Sequence, residues 1–128
     1  MKIALLGGTG GFGTAGTPGS FPNTKWDTAD IWLRTEFTLE SGDASGLRLR
    51  VYHDEDAGIY LNGVLALQLK GFVTDYEEFE LSSEAAAALH AGNNSIAVHC
   101  HQTTGGQGID VGIVEPQKAK TQANAAGN

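Results

Sequence analysis

The chain contains a single cysteine, Cys100. It can form no internal disulfide, so packing must hold the fold, and cysteine usage gives no redox compartment. Basic residues are scarce: eight Lys and Arg stand against fifteen Asp and Glu, a formal net charge of −7. Nucleic acid and anionic membrane surfaces both require clustered Lys and Arg, so neither is expected as a partner. Uncharged partners such as sugars remain open. No apolar run approaches the ~20 residues of a membrane-spanning helix. Lys2 and the apolar residues after it look faintly like a signal peptide, but the run is too short and glycine interrupts it. No internal repeat is present, and 128 residues suffice for one core.

Glycine is abundant, with eighteen residues. This implies many tight turns or close backbone approaches. Near the start, Gly8, Gly10 and Gly13 have the spacing of a dinucleotide-binding fingerprint. That motif works only if its last glycine opens a helix whose N-terminus faces the pyrophosphate. Here TAGTPGSFPNT follows. Its glycines and prolines, without an apolar helical period, exclude that helix. No nucleotide cofactor is expected. The segment reads instead as a strand or arm leading into a glycine-rich loop.

Beyond it the hydrophobic pattern has period two. Residues 31–39 set Ile31, Leu33, Thr35, Phe37 and Leu39 against Trp32, Arg34, Glu36 and Thr38. Residues 47–53 place Leu47, Leu49, Val51 and His53 inward, with Arg48, Arg50 and Tyr52 outward. A polar turn follows, then a short strand at 59–61. Asn62-Gly63, a strong hairpin signal because both residues tolerate positive φ, leads into a strand at 64–69. Further strands are expected at 76–81, 95–101 and 109–114. In 95–101, Ile96, Val98 and Cys100 oppose Ala97, His99 and His101. SSEAAAALH, residues 82–90, is the one helical stretch, with serine caps, an early Glu and Gly92 beyond its end. The pattern predicts an all-β protein, an antiparallel β-sandwich with one short connector helix. Residues 1–114 form its single domain, residues 1–9 being a leader or an added edge strand. Residues 115–128 read as a polar tail or linker.

Three segments now support a comparison. DIWLRTEFTL, LRVYHDEDAGIYLNGV and LHAGNNSIAVHCHQTTGGQGIDVGI resemble, in order, the galactose-binding-like jelly-roll domain. The resemblance covers roughly residues 10–114, with Arg34 in the entry strand, the Asp-rich turn before YLNG, and the N-x-I-A-V-H-x-H-Q strand leading to a Gly/Asp turn. It implies a carbohydrate-binding accessory module of a larger secreted or periplasmic hydrolase, often with a structural calcium. The fold hosts many functions, so the sites need their own argument.

Sugars stack their C–H faces on aromatic rings, while polar side chains fix the hydroxyls. On that basis Trp26, Tyr76, Asn62, Asp56, His99 and Gln102 are the candidate ligand-binding residues for a neutral glycan. A metal is the alternative. His99 and His101 share a strand face, His53 ends another strand, and imidazoles suit zinc or copper. Asp54 and Asp56, with Glu55 between them, offer hard oxygens to calcium. A plainer reading stands beside each: carboxylates that cap turn N–H groups, and imidazoles that hydrogen-bond carboxylates or loop carbonyls. A small metalloprotein or metalloenzyme, or a purely structural accessory domain, are the competing functions. Cys100 reads as a small core residue.

Overall fold

The computed structural model describes residues 2–3, 11–17, 24–103 and 105–115. In chain order its elements are β1 (Lys2–Ile3), β2 (Phe12–Gly13), β3 (Thr24–Lys25), β4 (Asp30–Leu39), β5 (Arg48–Asp54), β6 (Asp56–Leu61), β7 (Val64–Leu69), β8 (Glu77–Glu80), α1 (Ser83–Ala88), β9 (Gly92–His101) and β10 (Gly108–Val114). The fold is an all-β sandwich. One sheet has the order β1-β4-β9-β6-β7 and the other β3-β2-β10-β5-β8. Every pairing is antiparallel except that of β2 with β3.

Alternation decides which faces meet. In β4, Ile31 and Leu33 are buried while Trp32 and Arg34 are exposed. In β9, Ile96, Val98 and Cys100 are buried on the same inner side. From the second sheet, Phe12, Leu49, Val51 and Ile109 join them in one core cluster. Burial of a large aliphatic side chain contributes about 1.5–3 kcal/mol, so this shared interior is what holds the two layers together. The thiol of Cys100 lies fully inside, and burial pushes its pKa up to about 12. It is a packing residue, not a nucleophile.

The ends of the strands follow local chemistry. Asn62 takes φ 49° and Gly63 φ 82°, the turn conformation that the Asn-Gly pair permits. Helix α1 is capped by Ser82, whose hydroxyl accepts from the Ala85 N–H at 3.1 Å, and Ala85 is buried beneath it. The Ser82 N–H donates to the Ala66 carbonyl, tying the helix to β7.

The described residues on either side of the N-terminal glycine motif join the β-sheets. Lys2 and Ile3 pair antiparallel with Arg34 and Leu33 at the edge of the first sheet. Residues 4–10, with Gly8 and Gly10, lie outside the described residues. Gly13 has a packing reason to be glycine: a Cβ there would come within 2.5 Å of the Gln107 carbonyl oxygen. The tail assigned to residues 115–128 is described only at Glu115.

Candidate functional site

The outer face of the first sheet carries a compact group of aromatic and titratable side chains. Register builds it. Across β4 and β9, Trp32 lies opposite His99 and Asp30 opposite His101. Across β9 and β6, His99 lies opposite Gly58 and His101 opposite Asp56. Residues at these positions share one face because strand side chains alternate and paired strands keep the alternation in step.

Trp32 is 53% exposed, unusual for an indole, and is one of the few large apolar side chains on the described surface. The His99 ring stacks against it with centroids 4.0 Å apart and planes 17° from parallel. His99 is held from its far edge. Its Nε2–H donates to Asp30 Oδ1 at 2.8 Å, and the His101 Nδ1–H donates to the same oxygen at 2.9 Å. The two hydrogen bonds keep the Asp30 carboxyl below its ordinary range, His101 contributing most. Next along the face, Asp56 Oδ1 accepts from the Gly71 N–H at 2.7 Å, and Lys70 Nζ stands 4.0 Å from its other oxygen. Gly58 leaves room for the Tyr60 ring: a Cβ there would touch Tyr60 at 3.5 Å and Gln68 at 3.6 Å.

The candidate residues do not form one group. His99 and Asp56 belong to this face. Trp26 does not: it is 4% exposed, its ring lies in the core, and its Nε1–H donates to Thr28 Oγ1 at 3.1 Å. Asn62 is at the other pole. Six residue steps along β6 separate it from Asp56, roughly 20 Å at the usual strand rise. There its Nδ2 donates to Ala88 O and Asn94 Oδ1, and its Oδ1 accepts from the Ser95 N–H. Strand length thus splits the candidate residues between the two ends of the sheet. Gln102 is buried beside the last loop, its N–H donating to Ala29 O and its Nε2 to Gly105 O.

Tyr76 lies on the opposite sheet. Its hydroxyl donates to Asp110 Oδ2 at 2.5 Å, its ring centroid is 5.9 Å from that of Tyr52, and the Arg50 guanidinium carbon sits 5.0 Å from it. Burial, with Asp110 accepting from the hydroxyl, pushes its pKa up to about 12. Tyr52 alternates outward as the sequence implies, yet it is only 1% exposed.

The metal-ligating candidates are also dispersed. His53 is buried, its Nδ1 lying 2.8 Å from Glu55 O and 3.0 Å from Gly71 O. It thus serves the loop carbonyls, while His99 and His101 serve Asp30. Asp54 is buried at the end of β5, and desolvation, with Glu55 adding repulsion, raises its pKa to about 6. Glu55 Oε1 accepts from the Thr103 N–H at 2.9 Å and from the Thr103 hydroxyl. Among the described residues, no group of three or more His, Cys, Asp or Glu is arranged to hold a metal ion.

Sequence reasoning misses Asp30 and passes over Trp32. Asp30 sits one position before the alternating segment and looks like its preamble. The Asp30-x-Trp32 and His99-x-His101 pairs are each visible in the sequence, but only the β4–β9 register joins them.

The sandwich also holds a cleft of about 320 Å³ near α1, lined by Ala44, Gly46, Leu47, Arg48, Leu81 and Glu80 among others. Its charged groups are already engaged: Arg48 Nη1 lies 3.8 Å from Glu80 and its Nε 3.5 Å from Glu78.

Comparison with known proteins gives a fold and no family. No family model matches the chain, and no curated protein matches it. Among solved structures, a β-glucuronidase from Ruminococcus gnavus in complex with D-glucaro-d-lactam is similar at a TM-score of 0.50 and 15% identity, over 70% of this chain and 20% of that one. A β-D-glucuronidase from Dictyoglomus thermophilum gives 0.48 and 20%, over 61% and 13%. A β-glucosidase from Kluyveromyces marxianus in complex with glucose gives 0.47 and 15%, over 76% and 12%. The chain thus spans a fifth or less of the length of these three proteins.

Proposed function

We propose that this β-sandwich is a non-catalytic carbohydrate-recognition module, an accessory domain of a larger carbohydrate-active protein, and that it binds a neutral glycan on the outer face of its first sheet. The observation that carries this reading is the exposed Trp32 ring, braced by His99 and bordered by the polar groups of Asp30 and His101. An indole offers the flat apolar surface on which a pyranose C–H face stacks, and the neighbouring imidazoles and carboxylate offer donors and acceptors to hydroxyls. Of the residues expected from sequence, His99 and Asp56 contribute to this face. Trp32 takes the stacking role expected of Trp26.

The charge balance favours an uncharged ligand. Asp30 is matched by two imidazoles and Asp56 by Lys70, so the carboxylates nearest the indole are already engaged, and Arg34 lies two residues along the same strand face. The chain as a whole is acidic, which repels anionic polymers. The similarity to segments of glycoside hydrolase chains supports an accessory role through the fold alone. Affinity electrophoresis against a panel of neutral polysaccharides tests the reading. The protein is expected to be retarded in at least one gel. Equal mobility in every gel overturns it.

A further inference from the structure

Trp32 and His99 touch, and Asp30 touches His99, but Asp30 and Trp32 are two residues apart on the same strand. The carboxylate therefore acts on the indole through a ring carried by the neighbouring strand. We infer that Asp30 is the positioning residue of this face: it holds His99 against one side of Trp32 and presents the other side of the indole to a ligand.

The geometry requires a fixed proton arrangement. For both imidazoles to donate to one oxygen, His99 must carry a proton on Nε2 and His101 on Nδ1. His99 is thereby locked at one edge and cannot swing from the indole. The 53% exposure of Trp32 fits a ring with one side covered and one side open. An exposed tryptophan otherwise samples several rotamers and loses that freedom on binding. Here the ordering is completed when the sheet forms. This rests on the binding face proposed above.

Acrylamide quenching of tryptophan fluorescence reads this directly, without a glycan. The Trp32→Phe variant supplies the Trp26 background for subtraction. In Asp30→Ala and Asp30→Asn, acrylamide should quench the Trp32 component more readily than in the wild type. Asp30→Glu should restore part of the protection. Glycan affinity should weaken about three- to tenfold in Asp30→Ala, the scale of re-ordering one side chain. Asp30 is half-exposed, so the variants are expected to fold, which circular dichroism checks. Unchanged Trp32 quenching and unchanged affinity in Asp30→Ala overturn the inference and leave the binding face standing. Quenching that rises as stated, in a protein that binds no glycan, supports the brace but overturns the binding face and the presentation to a ligand with it.

Discussion

Asp56 lies directly across from His101 in the β6–β9 ladder, although 45 positions separate them in the chain. Acidic turn and histidine strand are thus neighbours, and they meet along the side of a sheet. The carboxylates differ in setting: Asp30 is half-exposed on the open face, and Asp54 is buried at the end of β5.

Asp54, one of the buried ones, should make the protein more stable in mild acid. Its pKa is raised to about 6, chiefly by desolvation, against an ordinary value of 3.8. A raised carboxyl binds its proton more tightly when folded, so ionisation above pH 6 costs stability, and the cost disappears as pH falls toward 4. At about 1.4 kcal/mol per unit, the ionised group costs on the order of 3 kcal/mol at pH 7. Asp54→Asn should raise Tm at pH 7 and flatten the gain between pH 6 and 4. Asp30 has the opposite sign. Its pKa is lowered, so its contribution is present above the ordinary carboxylate range and is lost as pH falls through the lowered value. Thermal melts from pH 3 to 7 on both variants would separate the two; an unchanged pH profile in Asp54→Asn would contradict the assignment.

Gly13→Ala should be strongly destabilising. The added methyl meets the Gln107 carbonyl at 2.5 Å and Gly108 Cα at 2.9 Å, both backbone atoms that cannot turn aside. Relief requires β2 to move away from β10. A cost of about 2–4 kcal/mol is expected, in the range of severe overpacking. Urea denaturation measures it, and Gly112→Ala is the control, since a Cβ there meets nothing within 4 Å.

Asn62→Ala should cost about 2–3 kcal/mol without touching the sugar face. The side chain bridges Ala88, Asn94 and Ser95, and Asn94 is buried, so its Oδ1 loses a donor. The backbone also sits at φ 49°, where alanine is strained. Asn62→Gly relieves the strain but still lacks the side-chain bonds, so the difference between the two variants isolates the backbone part. Glycan affinity of the folded fraction should be unchanged in both.

The sandwich is legible in the sequence because alternation reports which side of a strand is dry. The strand expected at residues 64–69 has the ends the structure gives, β10 starts one residue earlier than expected, and β5 lies one residue later at both ends. The β6 strand starts three residues earlier than its pattern implies, at Asp56, because Gly58 breaks an apolar pattern that tertiary packing keeps. The site is less legible. Trp26 precedes the long strands and carries no alternation to show its burial. Tyr52 alternates outward correctly but is shielded, with Tyr76 packed beside it, a contact set by the 71–76 loop and not by β5 itself. Asp30 gains its role from the pairing of β4 with β9. A one-residue change of register would turn its partners to the other face, and no local pattern fixes register between strands about sixty residues apart.

The exposed indole is where the functional account can fail most simply. Isothermal titration of the Trp32→Ala variant, on a neutral polysaccharide that retards the wild type, should show affinity reduced at least about tenfold, the loss typical of a stacking anchor. Fold and Tm should stay close to wild type, because the ring is on the surface. Affinity equal to that of the wild type would place the sugar elsewhere on the molecule and contradict the account.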